Sequence, residues 1–165
     1  DFWQPEKTEI EYTVGYSGAP YMKDGLSDLL MAIKILRGKG LDISLLIVGD
    51  ATFGRSLIPG LKEECSSLGI DDLVTFTGLV NSIQVRRYLS KCQILVITRP
   101  DTIQTKAGFP TKLGEYFALR KPVLATKFGD VERYFEDGID VIMAECGNPS
   151  SISSKPLSLS MMASW

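Results

Sequence analysis

The 165-residue sequence contains no histidine. That removes Ser-His-Asp and Cys-His nucleophile systems, histidine general bases and zinc sites built on imidazole. Catalysis would have to use carboxylates, Lys, Arg, backbone amides, or groups on another chain or on the substrate. Cysteine is scarce and scattered, at Cys65, Cys92 and Cys146. Three such residues make no disulfide framework and suit a reducing compartment. No apolar run approaches the ~18–20 residues needed to cross a bilayer, and no basic start followed by an apolar stretch marks a signal peptide. Basic excess is missing as well. A formal charge of -2 argues against sequence-independent nucleic-acid binding.

Two phosphate-binding fingerprints are also absent. No G-x-G-x-x-G follows the first apolar run, which disfavours a dinucleotide-dependent oxidoreductase, and no glycine loop ends in Gly-Lys-Ser/Thr as a P-loop does. Tyr16-Ser17-Gly18-Ala19 carries no carboxylate, so the acidic cluster of a phospho-receiver domain is missing.

What is present reads as globular. Apolar residues make up 44% and charged residues 23%, a balance that rules out wholesale disorder. The length suits one compact domain. A start at Asp1 leaves processing, trimming or excision from a longer protein open. Short apolar runs alternate with amphipathic segments. Strands are expected over 12–17, 43–48, 74–77, 92–98, 122–126 and 140–144. Helices are expected over 26–37, 57–68, 83–89, 111–119 and 131–135, the third capped by Asn81 or Ser82. Residues 99–110 read as a loop. The alternation predicts an α/β fold with a doubly wound, Rossmann-like parallel sheet of about six strands. The chain divides into a linker over 1–12, the Rossmann-like domain over 13–149, and a Ser-rich tail over 150–165. That tail reads either as a terminal segment without function or as cover for an apolar face left by an absent domain.

In open parallel sheets, ligands bind beyond the carboxyl ends of the strands. Three features fall there. Gly18 to Gly25 combines a permissive glycine with Lys23 ahead of a helix start, which suits an anion; an ordinary turn with a solvated lysine fits equally. Gly108-Phe109-Pro110-Thr111-Lys112-Leu113-Gly114-Glu115 opens a helix, with Thr111 a candidate cap. Lys112 in its first turn opposes the helix dipole by ~0.3–1 kcal/mol, which makes sense if it holds an anion. Glu115 shares its helical face, and a plain Lys-Glu surface pair is the alternative. Thr75 to Val80 runs a strand into a Gly78 turn, where Leu79 either flanks a flat base or simply packs in the core.

Taken together, these segments resemble the C-terminal, donor-binding domain of retaining glycosyltransferases of the GT-B fold, glycosyltransferase family 4. The resemblance spans Tyr16 to about Pro149 and rests on five segments in order. They are Tyr16-Ser17-Gly18 with Lys23-Asp24-Gly25, Leu45 to Gly49, Val74 to Gly78, Gly108 to Glu115, and Tyr116 to Val123. It implies one half of a two-domain enzyme whose cleft binds a nucleotide-diphosphate sugar, with polysaccharide or glycolipid assembly as the usual setting. Glu115 matches the glutamate that binds ribose hydroxyls, Lys23 the lysine that neutralises the diphosphate, and Gly18 the glycine beside it. Gly108, Phe109, Pro110 and Thr111 match the loop whose amides reach phosphate and sugar. Gly78, Leu79 and Val80 sit where the family contacts the base. Lys23 and Glu115 are therefore the residues expected to carry catalysis, and Lys112 is a further phosphate contact.

Two positions depart from the family. Ala107 replaces a glutamate near the donor sugar, and Ala19 replaces a basic residue after the first glycine. Lys112 or Arg99 is expected to supply the second positive charge. The resemblance implies no cofactor and no metal, the nucleotide sugar being a substrate. It implies a glycan or lipid-linked acceptor, a missing N-terminal GT-B domain, and no nucleic acid. A cytoplasmic location follows, with peripheral association at the inner membrane face through the missing domain. The chain alone is expected to bind donor yet transfer little. The rival reading is a non-catalytic nucleotide-sugar-binding or interaction module.

Overall fold

The computed structural model describes residues 8–106, 111–158 and 161. Among them, six strands form one all-parallel sheet in the order β3-β2-β1-β4-β5-β6. The strands are β1 (Tyr12–Ser17), β2 (Leu45–Val48), β3 (Val74–Phe76), β4 (Cys92–Ile97), β5 (Val123–Thr126) and β6 (Ile142–Ala144). The helices are α1 (Leu26–Gly38), α2 (Ile58–Leu68), α3 (Ser82–Ser90), α4 (Ile103–Lys106), α5 (Thr111–Ala118), α6 (Val131–Tyr134) and α7 (Pro149–Ser153). The Rossmann-like sheet read from the sequence is the sheet observed.

Continuous apolar strands follow from burial on both faces. Leu45 and Ile47 of β2 pack with α1 and α2 in one core, while Leu46 and Val48 pack with α3 and α5 in the other. In β4 the same alternation sends Ile94 and Val96 to the first core and Leu95 and Ile97 to the second. The chain winds from β1 to β3 in one direction and then returns to place β4 on the other side of β1. The carboxyl ends of β1 and β4 therefore flank the switch point where open α/β sheets bind ligands.

Local chemistry explains several element ends. Asn81 caps α3, its Oδ1 accepting from Gln84 N at 2.9 Å while Gln84 Oε1 accepts from Asn81 N at 3.0 Å. This reciprocal pair satisfies two otherwise unpaired amides. β3 stops before Thr77, whose side chain turns aside to accept from Gly49 N at 3.1 Å. β4 stops before Thr98, whose Oγ1 donates to the Asp24 carbonyl at 3.0 Å.

One expectation needs correction. The expected loop over 99–110 contains α4. Its turn is held by Thr102 Oγ1, which accepts from Thr105 N at 3.2 Å, and by Thr105 Oγ1, which donates to the Pro100 carbonyl at 2.7 Å. Over its described residues, the Ser-rich tail packs against the domain. Asn148 caps α7, Ile152 and Leu157 are fully buried, and both join the α1 core. Polar composition concealed this because Ser153 and Ser154 turn their hydroxyls back to backbone carbonyls.

Among the described residues, no helix is long and apolar enough to cross a membrane.

Candidate functional site

A cleft of about 350 Å³ opens at the carboxyl ends of the strands. Gly18 and Ala19 line it from the end of β1, Gly49 and Asp50 from the end of β2, and Leu79 and Val80 from the turn after β3. Thr111, Lys112 and Glu115 close it from α5. Their placement follows from helical spacing. Leu113 and Tyr116 turn fully into the core, so Lys112 and Glu115, three apart, share the opposite face. Tyr116 also fixes the helix to β1, its Oη accepting from Ser17 N at 3.0 Å.

Lys112 crosses above Gly18. Its Nζ donates to Tyr16 Oη at 3.2 Å, lies 4.5 Å from the Tyr16 ring centroid and stands 3.9 Å from Asp24 Oδ1. A Cβ on Gly18 would collide with this ammonium, and the glycine has φ +133°. The lysine tip could swing aside, so it is the backbone conformation that favours glycine here. Burial pushes the Lys112 ammonium down to about 8; Asp24 pulls the other way, Arg99 adds to the fall, Glu115 opposes it and Lys23 adds again. Burial raises the Glu115 carboxyl above its ordinary value, with Lys112 opposing. Burial, aided by Asp24, drives the Tyr16 phenol well above its usual range.

Asp24 is the centre of this charge cluster. Its side chain is 3% exposed, and Oδ1 pairs with Arg99 Nε at 3.3 Å as well as with Lys112. Oδ2 accepts from Tyr21 N at 3.3 Å, within the 3-10 turn Met22–Asp24. Gly25 follows at φ +64°, where a Cβ would run into the Thr98 carbonyl. The turn is therefore locked against the end of β4. One carboxylate thus lies between two cations.

The structure brings together Gly18, Leu79, Val80, Thr111, Lys112 and Glu115. It places Lys23 elsewhere. That lysine is exposed, stacks over the Tyr21 ring at 5.5 Å and lines a neighbouring depression with Arg55 and Gln104. Gly78 sits at the back of the β3 turn, bridged to Gly49. Leu79 is 63% exposed, so it is not a core residue, whereas Val80 packs against the second core. Gly108, Phe109, Pro110 and Ala107 lie outside the described residues. Asp24 was the residue sequence reading passed over. Its signal was an acidic residue beside the expected anion-binding lysine, and its partners lie 75 and 88 residues further along the chain.

Comparisons with known proteins place the chain in a family. A sequence model of the family described as "Glycosyl transferases group 1" matches residues 11–160. An uncharacterized glycosyltransferase of Methanocaldococcus jannaschii is 26% identical over 152 residues, covering 92% of this chain and 39% of that protein. The chain thus spans about two fifths of the curated relative it matches. Among solved structures, the C-terminal domain of the glycosyl transferase group 1 family protein LpcC from Francisella tularensis superposes with a TM-score of 0.77 at 20% identity, covering 99% of this chain and 86% of that one. HepE of Anabaena, crystallised with UDP and glucose, superposes with a TM-score of 0.70 at 21% identity, over 86% of this chain and 36% of that one. These structural likenesses speak for the fold, while the family model spans the whole sheet. With a match running from before β1 to beyond α7, the chain belongs to the glycosyl transferases group 1 family.

Proposed function

We propose that this chain is the donor-binding half of a retaining GT-B glycosyltransferase of the family 4 type, and that its cleft takes a nucleotide-diphosphate sugar. The observation that carries the reading is the cleft itself, where a carboxylate, a buried lysine, a permissive glycine and an exposed leucine converge at the switch point. Glu115 accepts hydrogen bonds from the ribose hydroxyls. Leu79 and Val80 flank the base beyond the Gly78 turn. The diphosphate lies over Gly18 against Lys112, with Arg99 behind it and Lys23 adding positive field from the rim. Thr111, at the start of α5, lines the cleft and offers its amide to the phosphate. HepE, a relative in fold, was crystallised with UDP-glucose, which is the ligand chemistry proposed here.

The chemistry suits a chain without histidine. Transfer of a hexosyl group breaks the bond between the anomeric carbon and the phosphate oxygen, so negative charge grows on the departing diphosphate. A preorganised cation and amides stabilise that charge, and losing one such donor typically costs ~2.7–4 kcal/mol of transition-state stabilisation. No cofactor or metal is needed on this reading. The glycan or lipid-linked acceptor binds a second domain, at the cytoplasmic face of a membrane, and the present chain alone transfers little sugar.

The test is calorimetric titration with UDP, GDP, ADP, TDP and CDP, with Glu115→Ala beside the wild type. One diphosphate should bind selectively. The substitution should weaken it about 10–100-fold, since hydrogen bonds to a charged group are worth about 1.5–3 kcal/mol. Equal affinity in Glu115→Ala refutes the assigned ribose contact, and equal affinity for all five diphosphates refutes the base site.

A further inference from the structure

We infer that Asp24 is a positioning residue, which fixes the Lys112 ammonium over Gly18 as the cationic receptor for a diphosphate. The inference rests on the donor-binding reading above and goes beyond it by assigning the device that holds the cation. Asp24 is the buried carboxylate of the switch point, and it faces two cations from two different elements. Arg99 arrives from the end of β4, with Nε at 3.3 Å, and Lys112 from α5, with Nζ at 3.9 Å. Left to themselves, these two cations repel each other across a largely desolvated crevice. With Asp24 between them they form an alternating row that holds the Lys112 ammonium at the mouth of the cleft.

The carboxylate itself is held. Oδ2 takes the Tyr21 amide, and the Asp24 carbonyl takes the Thr98 hydroxyl. The clash of any Cβ at Gly25 with the Thr98 carbonyl fixes the next residue as glycine. Asp24 is therefore anchored at three points while its Oδ1 faces the cations. The groups around Lys112 are Asp24 and Lys23 from the 3-10 turn, Tyr16 from β1, Arg99 after β4 and Glu115 from its own helix. Burial, Arg99 and Lys23 favour the neutral amine, while Asp24 is the strongest influence favouring the ammonium. Removing the carboxylate should thus cost Lys112 both its place and its charge.

The experiment measures affinity for UDP, GDP, ADP, TDP and CDP, and for inorganic pyrophosphate, between pH 6 and 9.5. The proteins are the wild type, Asp24→Asn, Lys112→Arg and the double variant, each checked for folding by its thermal melt. Wild-type affinity should fall as pH rises through about 8. In Asp24→Asn that fall should move down by about 1–3 pH units, the usual effect of an opposite charge at this range, with at least about tenfold weaker binding at pH 7.5. Lys112→Arg should abolish the alkaline fall, because a guanidinium stays charged, and the double variant should regain affinity over Asp24→Asn. A merely structural Asp24 would lower stability and leave the pH profile where it was. Tighter binding in Asp24→Asn, or an unmoved profile, overturns the inference while the donor reading stands. Wild type that binds no diphosphate and no pyrophosphate overturns both. Should Asp24→Asn not fold, an alkaline fall that persists in Lys112→Arg overturns the inference by itself.

Discussion

Truncating Leu157 to alanine measures how far the Ser-rich end belongs to the domain. Leu157 is fully buried and sits in the α1 core with Ile152. Leu→Ala changes in well-packed cores cost about 2–5 kcal/mol, according to how completely the site collapses. Leu157 follows the short helix α7, where the chain can relax more than inside the sheet, so the lower half of that range applies, about 2–3 kcal/mol. For a domain of this length each kcal/mol moves Tm by about 2–4 °C. The expected loss is therefore about 4–12 °C in a calorimetric or circular-dichroism melt. Ser150→Ala, at an exposed position of the same helix, is the control and should move Tm by no more than about 2 °C. A Leu157→Ala protein that melts with the wild type would refute the docking of the tail on α1.

Two further predictions concern the site. Gly18→Ala places a Cβ against Lys112 Nζ in a backbone conformation that side chains rarely adopt. Tm should fall by about 2–12 °C for about 1–3 kcal/mol of strain, and diphosphate affinity should fall with it; unchanged calorimetric titrations would contradict the geometry. Lys112→Met should raise Tm at neutral pH by about 2–4 °C while removing diphosphate binding. The sign follows from Lys112 being depressed in the folded chain, to about 8 from an ordinary 10.5. The unfolded chain binds that proton more tightly, so the cost of burying the ammonium is full below pH 8 and disappears toward pH 10.5. Melts across that range should show the gain of Lys112→Met shrinking, and a gain constant with pH would contradict the argument.

The sheet was legible because its signals are local. Leu45 to Val48 and Cys92 to Ile97 are unbroken apolar runs bounded by turns, and a run buried on both faces needs no periodicity to be read as a parallel strand. The cap of α3 was narrowed to Asn81 or Ser82, and Asn81 takes the role. Strand ends were read too long at Thr77 and Thr98, whose side chains bond to groups distant in sequence. Thr98 bonds to the Asp24 carbonyl. The site was legible in its α5 half, since Lys112 and Glu115 lie three apart on one helix. Gly18 and Leu79 were legible too, but Asp24 was not. Asp24 acquires its role only when the fold brings β4 beside β1, and nothing in Lys23-Asp24-Gly25 says which of the two charged residues turns inward. Helix 3-10 geometry decides it, burying Asp24 and leaving Lys23 outside.

The central claim is that one cleft, at the carboxyl ends of β1 to β3 and the start of α5, receives a nucleoside diphosphate. The most direct measurement is the two-dimensional amide NMR spectrum of the chain, titrated with each of the five nucleoside diphosphates. The account predicts that one of them shifts the amides of Gly18, Gly49, Leu79, Lys112 and Glu115 together, at a common dissociation constant. Largest shifts instead at the apolar depression formed by Pro122, Ile139 and Ile142, or no shift with any of the five, would contradict it.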